Sequence, residues 1–160
     1  MQLAELNIGK LIAPVSDPAV AEFIENIDRI NSLAKRMPGF VWMMESEGSP
    51  GNTSNSIGND PLLIPNLTVW KNGDALRKFV YYTVHDIFLK RRREWFVTAD
   101  RPTFVMWWIE DGAFPKIDQA LGRLEALRIN GDTPDAFGWD YLSMHPDPTA
   151  NSALSPTDLT

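Results

Sequence analysis

Alternating and helically spaced apolar residues divide the first part of the chain into a strand, a helix and a second strand. Residues 3–11 alternate between apolar and polar in the way that is typical of a strand with one buried face. Residues 19–37 carry apolar side chains at intervals of three and four, which predicts one amphipathic helix. Asp17 or Ser16 is predicted to cap this helix, and the apolar run at residues 40–44 predicts the second strand.

A strand followed by one long helix is predicted in the middle of the chain. The β-branched and aromatic residues 67–70 are typical of a strand, and Asn72 with Gly73 is a turn signal. Asp74 is predicted to cap the helix that follows. On a continuous helix, five residues would share one face: Tyr81, His85, Phe88, Arg92 and Trp95.

The last part of the chain predicts a strand, a helix and a tail. Residues 103–109 are apolar on both faces, so we expect the core to cover one side of this strand and a helix or a partner chain to cover the other. Residues 116–130 have helical periodicity, and Gly131 ends the pattern. Residues 137–139 are predicted to form a final short strand, and we expect residues 143–160 to be a disordered tail.

The order strand, helix, strand, strand, helix, strand predicts an α+β fold of the ferredoxin-like βαββαβ type, in one domain over residues 1–142. With its helices on one face, such an antiparallel sheet would leave the other face bare. Residues 104–109 offer few polar side chains to water, so that face needs a partner. We therefore expect a homodimer in which two sheets pack against each other.

Residues 45–65 are rich in Gly, Ser, Asn and Pro and separate two predicted hairpin strands. A loop of this length is uncommon in a compact domain and is typical of functional segments. We interpret it as a mobile loop that would act as a lid, and the alternative is a tolerated surface insertion.

Composition and charge exclude several classes of function. The chain has no cysteine, which excludes disulfides, thiolate metal sites and a cysteine nucleophile, and which fits a reducing compartment. Its net charge of −6 argues against nucleic-acid or anionic-membrane partners. No apolar segment reaches the ~20 residues of a membrane helix, and the first residues lack the pattern of a signal peptide. We therefore expect a cytoplasmic protein that binds neither nucleic acid nor membranes.

Metal, phosphate-loop and serine-nucleophile chemistry find little support in the sequence. The two histidines are His85 and His145, and no third ligand follows at a spacing that suits a metal. Residues 48–58 contain glycines but lack the lysine and the strand-to-helix context of a phosphate loop. No serine lies in a nucleophile elbow, so we expect no metal site and no serine hydrolase.

Several segments resemble one family of proteins. They read LTVWKNGDALRKFVY, HDIFLKRRREWF and FVMWWIEDG, with LAELNIGKL near the start. They resemble a domain-of-unknown-function family, number 3291, which looks like a branch of the dimeric α/β-barrel superfamily. That superfamily includes antibiotic-biosynthesis monooxygenases, haem-degrading monooxygenases, chlorite dismutase-like haem proteins and small lactone isomerases. The resemblance covers residues 1–139 and implies a dimer with a cavity between the sheet and the helices of each protomer.

The resemblance also implies site residues. Haem-degrading relatives carry an Asn on the first strand, where this chain has Asn7, and a helix Trp where this chain has Phe79. Their haem ligand is a His further along the same helix, and His85 lies on that helix several residues earlier. Asn7 therefore carries over as a candidate, and His85 is a candidate axial ligand for haem.

The chemistry of three side chains suggests roles in catalysis. An imidazole between aromatic residues, as at His85, suits a general base or a haem ligand, whereas the alternative is a core histidine with a satisfied hydrogen bond. Arg92 would hold a carboxylate or a haem propionate, and the alternative is a solvated charge run. Asn7 would orient a substrate oxygen or dioxygen, and the alternative is a cross-strand hydrogen bond.

The abundance of large rings predicts an apolar ligand. The predicted pocket residues are Trp42, Trp70, Phe79, Tyr81, Phe88 and Trp108. Three functions remain open: an enzyme similar to antibiotic-biosynthesis monooxygenases that oxidises a small apolar or aromatic metabolite without a cofactor, a haem protein with His85 as axial ligand, and a non-catalytic dimeric module that binds a small molecule.

Overall fold

The computed structural model describes residues 1–45, 57 and 59–147 of the chain. Two short 3-10 helices cover Pro18–Val20 and Arg92–Glu94. In chain order the other elements are β1 (Gln2–Lys10), α1 (Ala21–Arg36), β2 (Phe40–Met43), β3 (Leu63–Trp70), α2 (Gly73–Tyr82), α3 (Val84–Lys90), β4 (Phe104–Ile109), α4 (Ile117–Asn130) and α5 (Trp139–Met144).

The four strands form one antiparallel sheet in the order β2-β3-β1-β4. This order, with α1 between β1 and β2 and with α2 and α3 between β3 and β4, is the ferredoxin-like βαββαβ arrangement. The predicted fold class is therefore confirmed. The register of the sheet places Asn7 of β1 directly opposite Asn66 of β3.

Helices cover both faces of this sheet. The odd-numbered residues of β1 face α1 and α2, which contribute Ile30 and Leu76 to the same buried cluster as Leu3. The even-numbered residues face α4, whose Ala120 and Leu124 are buried against them. The two helix segments of the βαββαβ unit thus share one face, as predicted, but α4 covers the opposite face, which was expected to be bare. The homodimer stays a prediction, and the bare face that suggested it is largely filled from within the chain.

Strand β3 begins earlier than the sequence indicated. Residues 63–65 were assigned to the loop, yet they pair with β1, and Pro65 lies opposite Ile8. A proline suits this position because β2 pairs only with residues 68–70 of β3, so no described strand needs the missing N–H. The greater part of the predicted lid, residues 46–56 and 58, lies outside the described residues.

The predicted long helix is wrong, because it breaks at Thr83. The backbone of Thr83 is extended (φ −127°, ψ −174°). Its hydroxyl donates to the carbonyl of Phe79 at 2.6 Å and accepts from the amide of His85 at 3.2 Å, so it ends α2 and caps α3. Tyr81 and His85 therefore lie on different helices and share no face.

The predicted N-caps agree with the structure only in part. Asp17, one of the two predicted caps, accepts from the amide of Ala19 at 2.8 Å and caps the 3-10 helix before α1, whereas the N-cap of α1 is Val20, which makes no side-chain hydrogen bond. The cap of α2 is Asn72, whose Oδ1 accepts from the amide of Ala75 at 2.9 Å, and Asp74 lies in the first turn instead. Gly131 ends α4 with φ of 71°, a conformation that favours glycine.

The C-terminal segment differs from the predicted strand. Phe137 exchanges two backbone hydrogen bonds with Met106 of β4, at 2.8 and 2.9 Å, but α5 starts two residues later. This helix ends at Met144, two residues beyond the expected domain boundary at 142. Residues 148–160 of the predicted tail lie outside the described residues. Across the described ranges, no helix has the length and apolar character needed to span a bilayer.

Candidate functional site

A cavity of about 700 Å³ opens at the end of the sheet where β1 finishes and β3 starts. Its walls come from the ends of these strands, one side of α1, α3 with the 3-10 helix that follows, and the connection over residues 95–103. Side chains from α4 reach it from the other side of the sheet. This volume lies in the range of small-molecule sites.

Four of the predicted site residues line this cavity: Asn7, His85, Phe88 and Arg92. The structure therefore brings together the three residues predicted to be catalytic and one of the six predicted to form the pocket. They come from β1, α3 and the following 3-10 helix, which the fold assembles at one end of the sheet.

Two predicted pocket residues form the packing beneath His85 instead of the cavity wall. Trp70 is fully buried, stacks on Phe79 with ring centroids 5.4 Å apart, and donates its indole N–H to the hydroxyl of Thr68 at 2.9 Å. Phe79 is buried and its ring lies 4.9 Å from that of His85. The Phe79 ring packs against the imidazole and Trp70 packs against Phe79, and neither residue lines the cavity.

Three further residues predicted to form the pocket do not line this cavity: Tyr81, Trp42 and Trp108. Tyr81 is 41% exposed, and the break at Thr83 places it on a different helix from His85. A bulge between Phe40 and Trp42 places Trp42 opposite Val69, on the sheet face that α4 covers. Trp108 packs instead in the cluster that contains Phe137, with their ring centroids 6.4 Å apart.

The imidazole of His85 is held in one tautomer. Its Nδ1 lies 3.2 Å from the carbonyl oxygen of Val80, and because a carbonyl only accepts, Nδ1 carries the proton and Nε2 keeps its lone pair. Burial lowers the pKa of His85 from its ordinary value of 6.5, while the Val80 hydrogen bond and the charge of Asp86 act in the opposite direction. The ring is therefore a neutral base at neutral pH.

A pair of amides forms the polar floor of the cavity. Asn7 and Asn66 lie opposite each other on β1 and β3, and both line the cavity. Within the described part of the chain, Oδ1 of Asn66 is buried and accepts no hydrogen bond. A buried acceptor without a donor is costly, so this atom is suited to accept from a ligand. Sequence reasoning missed Asn66 because only the register between β1 and β3 identifies it as the partner of Asn7. The strand was predicted to begin at Leu67, which left Asn66 outside it.

A second polar pair lies next to the amides on the same face of the sheet. Glu5 is only 5% exposed, and its Oε2 accepts from the hydroxyl of Thr68 at 2.6 Å. Burial raises the pKa of Glu5 to about 7, and the hydrogen bond from Thr68 opposes this rise. The two pairs form a polar ladder, Glu5–Thr68 and Asn7–Asn66, between the sheet and its helices.

Aromatic rings that sequence reasoning did not assign to the pocket form much of its wall. Trp95 is buried, stacks on Phe88 at 5.6 Å and lies 5.8 Å from Phe23. Phe96 meets Phe23 edge to face at 4.8 Å. A Cβ atom at Gly9 would fall 2.6 Å from the Phe96 ring, so only glycine leaves room for this ring on β1.

An ion pair holds this wall against α1. Arg91 donates to both carboxylate oxygens of Glu22 at 2.8 and 2.7 Å and to Glu94 at 2.6 Å, while its guanidinium lies 4.8 Å from the centre of the Trp95 ring. A bidentate guanidinium stacked on an indole is a well-ordered arrangement. The wall is therefore formed without a ligand.

The structure offers no evident metal centre in the ranges that it describes, since no group of three or more His, Asp or Glu residues lies close enough to hold an ion. The polar groups that line the cavity include the imidazole of His85, the two amides and several arginines.

Comparisons with known proteins give a family and three solved structures. The structural-genomics protein YJCS is 11% identical to this chain, with a TM-score of 0.46. The comparison spans 69% of this chain and 100% of YJCS. It is 15% identical to SnoaB of Streptomyces nogalater, described as a cofactor-independent oxygenase, and each comparison spans 72% of this chain and 98% of SnoaB. The TM-scores are 0.44 for SnoaB and 0.48 for an asparagine-to-alanine variant of it.

These structural similarities are too distant to assign an activity to this chain. Comparison with curated proteins finds no match. The sequence model described as "Domain of unknown function (DUF3291)" matches residues 2–153, nearly the whole chain, which confirms the resemblance seen in the sequence. The chain belongs to the DUF3291 family.

Proposed function

We propose that this protein is a monooxygenase-like enzyme that oxidises a small apolar or aromatic molecule in the cavity at the end of the sheet. The observation that carries the proposal is an imidazole whose Nδ1 faces a backbone carbonyl, in the same cavity as an amide pair and an aromatic wall. Such a site would bind an aromatic substrate and remove a proton from its hydroxyl group or from an acidic carbon at neutral pH.

Each side chain has its own role in the proposed reaction. His85 Nε2 takes the proton from a hydroxyl or an acidic carbon of the substrate, which leaves an electron-rich anion. Asn7 donates an amide N–H to the substrate oxygen, and the buried Oδ1 of Asn66 accepts from a second polar group. The anion reacts with dioxygen at a carbon atom that still carries one hydrogen and gives a peroxide. The O–O bond then breaks as this carbon loses its hydrogen as a proton, so that a C=O group forms, water leaves and the substrate itself supplies the electrons. Arg92 at the mouth holds a charged group of the substrate.

The surroundings of His85 support this role. The Val80 carbonyl and the Phe79 ring fix the orientation of the imidazole, and burial keeps it unprotonated. A positioned general base contributes about 10²- to 10⁴-fold to a rate. A binding module would have no need for a base held in this way, and this favours an enzyme over a non-catalytic module.

The test is a screen of electron-rich phenols and hydroquinones for oxygen uptake, followed by His85→Ala on any substrate found. We expect the rate to fall by about 100-fold or more in His85→Ala. His145→Ala is a matched control, since His145 makes the same kind of bond to a backbone carbonyl but is exposed directly after α5. An unchanged rate in His85→Ala would remove this residue from the chemistry, and saturable binding without oxygen uptake would favour the binding module.

Haem binding is a second candidate, and one observation favours it. Metal-bound histidines donate their other ring nitrogen to a carbonyl or carboxylate, as His85 does to Val80. If haem binds, His85 Nε2 would hold its iron and Arg92 would pair with a propionate, and haem would supply the redox chemistry. Titration of the protein with haem tests this: a Soret band that saturates at one haem per chain and disappears in His85→Ala would support it.

A further inference from the structure

We propose that the molecule bound in this cavity is an anion, with an apolar or aromatic body inside and a carboxylate-like group held by arginines at the mouth. The inference rests on the proposed function, because it names the substrate class of the same site. It concerns the charge of the ligand, which neither the fold nor the base at His85 determines.

The charge of the lining is opposite to that of the whole chain. The net charge of the chain is −6. Of the described residues that line the cavity, five are basic and one, Asp100, is acidic. The basic ones are Lys10, Arg92, Arg93, Arg101 and Arg128. A cavity with low-dielectric walls and one sign of charge concentrates ligands of the opposite sign.

Three of these charges have no ion-pair partner among the described residues: Arg92, Arg93 and Arg101. Glu22 of α1 and Glu94, which follows Arg93 in the chain, both pair with Arg91. Neither carboxylate therefore forms an ion pair with Arg92 or Arg93 among the described residues. A carboxylate on the ligand would supply a partner, and guanidinium groups bind it in a bidentate way.

Arg128 extends the positive charge to the α4 side of the cavity. Its side chain is only 14% exposed, its Nε donates to the carbonyl of Pro102 at 2.8 Å, and its Nη1 lies 3.5 Å from Glu125. The guanidinium is therefore fixed in place. Positive groups reach the cavity from the 3-10 helix, from the connection before β4 and from α4.

A pair of fluorescent probes tests the inference without knowledge of the substrate. The anionic probe is 8-anilinonaphthalene-1-sulfonate, and N-phenyl-1-naphthylamine is the same aromatic body without the sulfonate. We expect the full-length protein to bind the anionic probe more tightly than the neutral one. The preference should shrink in 0.5 M NaCl, because salt screens charges at an open mouth.

Variants locate the source of the preference. The double variant Arg92→Gln with Arg93→Gln should weaken binding of the sulfonate probe by roughly threefold or more and leave the neutral probe unchanged. Arg36→Gln is the matched control, since Arg36 is exposed at the end of α1 and does not line the cavity. Leu89→Trp, which fills the cavity from α3, should weaken both probes, with circular dichroism confirming that the variant is folded.

The outcomes separate this inference from the proposed function. If both probes bind equally, compete with each other and respond to Leu89→Trp but not to the arginine variants, the cavity binds ligands and the inference of an anionic ligand is wrong. If neither probe responds to Leu89→Trp, the cavity is not a ligand site, and the proposed function fails together with the inference. The inference is supported if the double arginine variant loses the preference for the sulfonate probe while Arg36→Gln keeps it.

Discussion

At the scale of single residues, the polar ladder is the feature with the clearest physical consequence. Glu5 and Thr68 lie in the middle of the sheet, beneath helices that otherwise bury apolar side chains. A carboxyl group buried there is more stable when protonated, and one hydrogen bond from Thr68 does not compensate for the lost hydration of the charged form. Folding stability must then depend on the ionisation of Glu5.

Glu5→Gln is predicted to remove part of the pH dependence of stability. Burial raises the pKa of Glu5 from 4.5 to about 7, so its contribution to folding is fully present below pH 4.5 and is lost as the pH rises through 7. A rise of this size corresponds to about 3 kcal/mol. We expect Glu5→Gln to match the parent protein near pH 4.5 and to be more stable by up to that amount at pH 9, as measured by urea unfolding.

Glu25→Gln, at an exposed position of α1, is the control and should show no such divergence. Parallel stability curves for Glu5→Gln and the parent protein across this pH range would show that Glu5 is ionised without penalty. The lowered pKa of His85 also reduces stability as the pH falls below 6.5. This effect is the same in Glu5→Gln and in the parent protein, so it does not change the difference between them.

At the scale of secondary structure, the break at Thr83 places the candidate base. One continuous helix would have carried Tyr81 and His85 on the same face, and the extended backbone of Thr83 changes the direction of the chain between them. Both bonds of the Thr83 hydroxyl are local, to Phe79 and to His85. Apolar periodicity continues across the break, which is why the pattern of the sequence did not reveal it.

Thr83→Val should destabilise the protein by about 1 kcal/mol and disturb the position of His85, because valine keeps the shape but neither caps α3 nor bonds to Phe79. Chemical unfolding measures the first effect, and catalytic rate or haem binding measures the second. Thr83→Ser keeps the hydroxyl and should behave much like the parent protein. If valine and serine have equal effects, the hydroxyl does not define the break.

The contact between Gly9 of β1 and the Phe96 ring provides a test of the cavity wall. Gly9→Ala would place a methyl group 2.6 Å from that ring and should cost about 1–3 kcal/mol, while moving Phe96 into the cavity. The matched control is Gly122→Ala in α4, where an added Cβ meets open space and should be neutral or stabilising by up to ~1 kcal/mol. A neutral Gly9→Ala with unchanged probe binding would contradict the close approach.

At the scale of the whole molecule, local and long-range features differ in how well the sequence predicts them. The βαββαβ order was predictable, because each element carries its own apolar period and its own turn or cap residues. The role of α4 was not, since its periodicity shows an apolar face but not which sheet face that helix covers. The amide pair was missed for a similar reason: the pairing of Asn7 with Asn66 depends on a register set across the sheet.

The most direct test of the account is the pH dependence of kcat/KM for oxygen uptake, measured for the parent protein and for His85→Ala. Since burial lowers the pKa of His85, the parent rate should be constant above pH 6.5 and fall at lower pH as the imidazole becomes protonated. His85→Ala should lose both the activity and this decline. Retention of the parent rate and the parent pH profile in His85→Ala would contradict the central claim that the neutral imidazole in this cavity is the base.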